Sequence, residues 1–280
     1  MSIISPLIAF ADNFIPANFL KSAFEISLII LLIVCFLHSW FTHGWKRTIR
    51  EFIGGFVLTA CCESIGVLSG AYIYPGFHFY ILATPIANPA SWVACVYVII
   101  ELTNRLVYGR KSLDTYHVDG FAMTRKPFAL FRGNFLKTIF ILAVVDACLA
   151  LAMDITMDPL ATVFNWWVWV PFAENVKVIG PGVVNPYNFD SLVFLTTPPN
   201  IIADFFGRFF PHGYRYPNRI LGIPLINFLA WFIFVFVFTF EFRWVEFQEK
   251  WGDLKKTLVL WSLILLEIPL LAVLLIAPNI

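Results

Sequence analysis

Residues 135–159 read FLKTIFILAVVDACLALAMDITMDP. Up to Met153 the stretch carries Lys137 and Asp146 as its only formal charges. As a helix it is long enough to cross a membrane, since each residue rises roughly 1.5 Å and the hydrocarbon layer takes about 20 residues. Asp154 and Asp158 follow at its end, just before Pro159. On a helix turning 100° per residue, Asp154 sits about 80° and Asp158 about 120° from Asp146, so the three acids form one stripe. Pro159 predicts that the helix ends near Asp158. A run this apolar that carries three acids must have a way to shelter them or a use for them.

The rest of the chain repeats the apolar pattern. It has 280 residues, of which 60% are hydrophobic, 18% aromatic and 13% charged, and its mean hydropathy is +0.80. That charged share is about half of what soluble domains carry. Six segments are long and apolar enough to span, at approximately 23–42, 52–70, 86–102, 136–153, 223–241 and 257–277. The expectation is an all-α fold, a polytopic transmembrane helix bundle forming a single integral membrane domain over 1–280. In the fifth segment Phe recurs at 232, 234, 236, 238, 240 and 242. A barrel strand alternates apolar with polar, whereas both faces are apolar here, so the segment reads as a phenylalanine-rich helix. The stretch 154–222 is too long for a plain connection and too broken by Pro to span, which predicts interfacial or re-entrant pieces.

Basic residues orient the bundle. Loops 43–51, 103–137 and 242–256 hold 14 of the 19 Lys and Arg residues, and Lys21, Lys177, Arg208, Arg215 and Arg219 make up the 5 on the opposite side. Lys and Arg are retained on the cytoplasmic side, so both termini are expected outside. The N-terminal 13 residues lack the basic region of a cleaved signal and read as an interfacial lead-in. A net charge of +1 excludes a nucleic-acid partner, which requires a concentrated basic surface. The 5 cysteines all lie in apolar runs without C-x-x-C spacing, and no two histidines share ligand spacing within a span, so neither a metal site nor haem is expected.

In this topology Glu63, Asp146 and Glu267 each sit about ten residues into a span, roughly 15 Å deep. A lipid-facing carboxylate there costs on the order of 2.5–3.5 kcal/mol, so these acids face the bundle interior, hold a proton, or both. A carboxyl that keeps its proton in apolar surroundings is a general acid. Glu63, Asp146, Asp154 and Asp158 are therefore the candidate catalytic residues. Trp166, Trp167 and Trp169 follow the acidic stripe. They suit either an interfacial belt or the shelter of a cation by indole faces.

Three blocks together resemble the carotenoid biosynthesis protein family of membrane carotenoid hydratases, of the bisanhydrobacterioruberin and γ-carotene hydratase type. They are ESIGVLSGAYIY (63–74) followed by Pro85, Pro89 and Trp92; Asp146 with MDP (157–159) and the tryptophans behind it; and GIPLINFLAW (222–231). The segment from about 173 to 217 is longer than that family's spacing between the last two blocks. The resemblance implies a prokaryotic cell-membrane enzyme, a carbon-oxygen lyase without a cofactor. It would add water across the terminal carbon-carbon double bond of an acyclic carotenoid or other isoprenoid lipid. The acids suit that chemistry: one carboxyl protonates the alkene and a second orients water against the tertiary carbocation. Asp146 or Glu63 is the expected donor, with Asp154 or Asp158 handling the water. Tyr72, Tyr74, Trp92, Asn227 and Trp231, with the three tryptophans above, are the expected substrate-binding residues.

Two other readings remain open. Asp154 and Asp158 form a D-x-x-x-D, a spacing that can hold Mg²⁺ for a prenyl diphosphate as in UbiA-type prenyltransferases, although the second N-D-x-x-D block of that type is missing. A non-catalytic hydrophobic subunit of a larger membrane complex also fits the Phe-rich spans.

Overall fold

The computed structural model describes residues 17–68, 72–74, 77–108, 135–163, 166–169, 219–220 and 223–276. The N-terminal lead-in, the interfacial pieces expected within 170–218, His117, His212 and the basic residues Arg110, Lys111, Arg125, Lys126, Arg132, Lys177, Arg208 and Arg215 lie outside the described residues.

The described chain is mostly helical. Its long helices are α1 (Ala17–His43), α2 (Trp45–Leu68), α3 (Ala87–Tyr108), α4 (Phe135–Val163), α5 (Leu225–Glu246) and α6 (Asp253–Ile276). Four stretches, Lys21–His43, Ala87–Val107, Phe135–Ala161 and Asn227–Glu246, are long and apolar enough to cross a membrane. On α1 the side chains of Ile26, Ile30, Ile33, Val34 and Leu37 point outward, as a helix facing acyl chains requires. Helix α2 packs between α1, α3 and α6, while α5 packs along α4 and against α6.

Three expectations need correction. The basic loop at 43–51 is a single-residue turn. Gly44 takes φ +84°, its N–H closes on the Trp40 carbonyl at 3.0 Å, and its own carbonyl accepts from Thr48 N at 3.2 Å. A residue with positive φ ends one helix and starts the next here, so Lys46, Arg47 and Arg50 ride on α2. Second, α4 does not end at Asp158 but runs through Pro159 to Val163. Proline removes one helical bond, yet Asp154 and Asp158 on one side of it and Ala161 on the other are all buried in the bundle, and that packing holds the helix on course. The first part of the expected interfacial stretch is therefore helix. Third, the fold has short ladders as well as helices: β1 (Tyr72–Ile73) pairs with β4 (Val168–Trp169), β2 (Tyr80–Ile81) with β3 (Thr84–Pro85), and β5 (Arg219–Ile220) with β6 (Ile223–Pro224), all antiparallel.

The alternating phenylalanines resolve into two helical columns. Phe234, Phe238 and Phe242 recur every fourth residue and are buried with Leu58, Trp92, Ile100, Leu260 and Ile264. Phe232, Phe236 and Phe240 form a second, half-buried column with centroid spacings of 6.5 and 6.0 Å. A period of two inside a helix thus supplies two stripes, because every second position reappears at i+4.

Candidate functional site

Near the end of α2 the Glu63 carboxylate collects neutral donors. Tyr72 Oη donates to its Oε2 at 2.6 Å, Tyr74 Oη to the same oxygen at 2.7 Å, and Trp92 Nε1 to Oε1 at 2.9 Å. Asn88 Nδ2 donates in turn to Tyr74 Oη. Local sequence explains the arrangement. Chain reversal after Leu68 brings Tyr72 back over α2, and it fits because position 66 is glycine: a Cβ there would lie 2.2 Å from Tyr72 Oη. The β1–β4 ladder pairs Tyr72 with Trp169 along the backbone, and Tyr80 Oη donates to the Tyr74 carbonyl at 2.6 Å. Desolvation pushes the Tyr80 hydroxyl up to about 12, so it remains a donor.

On α4 a second carboxyl group faces the first. Asp154 and Asp158 are 1% and 2% exposed, and Asn227 Nδ2 of α5 bridges them, donating to Asp154 Oδ2 at 3.0 Å and to Asp158 Oδ2 at 2.5 Å. Asp154 Oδ1 is buried and receives no donor from the described residues. Both aspartates interact electrostatically with Glu63, and Asp158 does so with Tyr74 as well.

Aromatic and apolar surfaces fill the space between. Trp92 stacks on Trp231 with centroids 3.3 Å apart and planes 12° off parallel. Tyr74 meets Trp167 edge-on at 6.2 Å, and Tyr72, Trp167 and Leu151 pack against Ile223 and Phe228. Trp166 faces away from this group, stacked on Phe24 of α1 at 3.5 Å. The structure thus brings together Glu63, Tyr72, Tyr74, Trp92, Asp154, Asp158, Trp167, Asn227 and Trp231. Trp169 joins through its backbone.

Asp146 does not belong to this group. Its two oxygens take Arg243 Nε at 2.8 Å and Nη2 at 3.0 Å, while Arg243 Nη1 reaches Asn104 Oδ1 at 2.8 Å, and both ion-pair side chains are 0% exposed. Asp146, one of the two expected proton donors, is instead one member of a bidentate pair. Arg50 pairs with Glu246 at 2.6 Å and Lys46 with Asp253 at 3.0 Å, and the His43 ring hydrogen-bonds Glu101 at 2.9 Å. Glu267 is buried on α6, and neither of its oxygens has a hydrogen-bond partner among the described residues. No group of three or more metal-ligating side chains occurs among the described residues.

Sequence reasoning missed Asn88, which holds Tyr74, and Arg243, which holds Asp146. Asn88 follows directly on the Pro85 block, and a polar amide at the start of an apolar span was its one visible signal. Arg243 stands 97 residues from Asp146 and reads in sequence as a span-end anchor. Comparisons with protein-family models, curated proteins and solved structures find no match to this chain.

Proposed function

We propose that this chain is a membrane hydratase that adds water across the terminal double bond of an acyclic, carotenoid-type isoprenoid end group. The observation that carries the reading is a buried carboxyl pair, Asp154 and Asp158, bridged by the Asn227 amide, in one cluster with a carboxylate, Glu63, whose described donors are all neutral. The resemblance of the 63–74, 157–159 and 222–231 blocks to carotenoid hydratases supports the same substrate class.

In this reading the Asp154/Asp158 pair gives its proton to the less substituted alkene carbon, leaving a tertiary carbocation on the neighbouring carbon. Water attacks that carbon through oxygen and passes its proton to Glu63, so the product is a tertiary alcohol and no electrons are gained or lost. Glu63 suits the base because two tyrosine hydroxyls and an indole N–H stabilise a charged acceptor. The indole and phenol rings of Trp167, Trp92 and Tyr72 stabilise positive charge nearby. These roles exchange those expected from sequence, and Asp146, locked to Arg243, takes none. The bundle has six spans with both termini outside a prokaryotic cell membrane.

The test is expression of the full chain in a host that makes lycopene-type pigments, with labelled water. A product heavier by one water, carrying the labelled oxygen, is expected. Glu63→Gln, Asp154→Asn and Asp158→Asn each lower its formation by about 10²- to 10⁴-fold, the range for loss of a general acid or base. Full product formation by all three variants overturns the reading, and magnesium dependence with diphosphate release would replace it with prenyl transfer.

A further inference from the structure

A hydratase inside an apolar bundle needs a way to bring its second substrate, water, to the carboxylates. Helix α2 carries Glu51, Gly55, Thr59 and Glu63 at successive fourth positions, a ladder that drifts only about 40° per step around the helix. Below Glu63 this ladder lines a cavity of about 10 Å³ together with Trp92 of α3 and Phe234 and Phe238 of α5. A space of this size holds one water when polar partners are present.

The partners are there. Glu51 is 2% exposed, and neither carboxylate oxygen has a hydrogen-bond partner among the described residues; its ion-pair contact to Arg47 is 3.8 Å, longer than a hydrogen bond. A buried carboxylate in that state is costly unless water supplies the missing donors. Thr59 Oγ1 gives its hydrogen to the Gly55 carbonyl at 2.7 Å, which leaves its lone pairs to accept. Trp92 lines the far side of the cavity and turns its indole N–H onto Glu63. Gly55 keeps the space open, since a Cβ there would come within 3.2 Å of Val93 Cγ2 and 3.4 Å of Phe238 Cζ. Towards the basic end, the neighbouring Arg50 links to Asp253, whose side chain is half exposed.

We propose that this cavity is a water antechamber: Glu51 and Thr59 hold water drawn from the basic end, and Trp92 admits it to Glu63 and the aspartate pair. The supply role rests on the hydratase reading, whereas the presence of water does not. Both are read on the full-length protein in detergent. Hydroxyl-radical footprinting by X-ray radiolysis oxidises side chains beside bound water, so Trp92, Phe234 and Phe238 are expected to label strongly although buried. Gly55→Ala, which narrows the space, and Thr59→Val, which removes the hydroxyl at nearly constant volume, should reduce that labelling to the level of Phe242, a buried ring outside the cavity. Both should also lower kcat for hydration by roughly tenfold with KM for the isoprenoid unchanged, the pattern for a step after lipid binding. Absent labelling in the unsubstituted protein overturns the antechamber. Labelling that falls in the variants while kcat holds overturns its supply role. Strong labelling in a protein that makes no hydrated product leaves the water site standing and removes the function above.

Discussion

Replacing Asp146 with leucine separates a structural acid from a catalytic one. Arg243 then keeps its guanidinium 0% exposed with only the Asn104 bond of the three described. Removing one partner of a buried ion pair typically costs about 3–5 kcal/mol, because the surviving charge is left uncompensated. At 1.4 kcal/mol per factor of ten this lowers the folding constant by roughly two to four orders of magnitude. Replacing both partners, as Asp146→Leu with Arg243→Met, removes the buried cation as well and should recover most of that loss, since apolar groups of similar volume often match a buried pair. Reversible unfolding in mixed detergent gives both free energies, and the double-mutant cycle isolates the coupling. If Asp146 takes no part in chemistry, the double variant also retains hydration within a small factor. A single variant that loses under about 1 kcal/mol would show that the pair is not buried as a charged unit. A stable double variant without activity would return Asp146 to the catalytic group.

Gly66→Ala sets a Cβ 2.2 Å from Tyr72 Oη, so Tyr72 must leave Glu63. Hydration should then fall by about tenfold or more, and Gly66→Ala with Tyr72→Leu should regain stability without regaining rate; equal rates in Gly66→Ala and the unsubstituted chain refute the placement of Tyr72. Glu25, 1% exposed, accepts from His78 N, His78 Nδ1 and Phe79 N at 2.9–3.2 Å. Glu25→Ala removes charge-assisted bonds worth about 1.5–3 kcal/mol each, and amide exchange at 78 and 79 should rise by at least about tenfold. Lys46, hydrogen-bonded to Asp253, holds that carboxyl below its usual range. A depressed acid stabilises the fold above its unfolded value near 4 and loses that contribution as pH falls through the folded value. Both side chains are half exposed, so Lys46→Met should cost under about 1 kcal/mol at pH 7 and nothing below about pH 3, as urea titrations at the two pH values would reveal.

Helices and half of the site were legible for the same reason: both depend on what a single segment carries. Apolar length marks a span, and the 63–74 block places Glu63, Gly66, Tyr72 and Tyr74 within one helix end and its return. Asp154 and Asp158 share a helix face by spacing alone, so their meeting followed from helical periodicity. What stayed hidden depends on segments far apart in the chain. Equal depth put Glu63 and Asp146 in one candidate set, but depth fixes one coordinate of three, and rotation about each helix is set by neighbours such as Arg243 and Trp92. The course of α4 beyond Pro159 was hidden likewise, because a local break signal yielded to burial on both sides of it.

The two polar layers differ in the kind of partner their acids have, and that difference decides where chemistry can occur. Asp146 and Glu246 are matched by guanidinium groups, which stay charged at any accessible pH, so a proton moving onto either acid would strand a buried cation. Glu63, Asp154 and Asp158 are held by phenol, indole and amide groups, which carry no charge to strand. In the hydratase reading proposed above, their protonation changes during a turnover with only the acids' own charge to compensate. Introducing a guanidinium there, as Asn227→Arg, should therefore fix Asp154 and Asp158 as anions and abolish proton donation while strengthening helix contact. A variant that is stable, well folded and still fully active would show that proton mobility in this layer is not what the reaction uses.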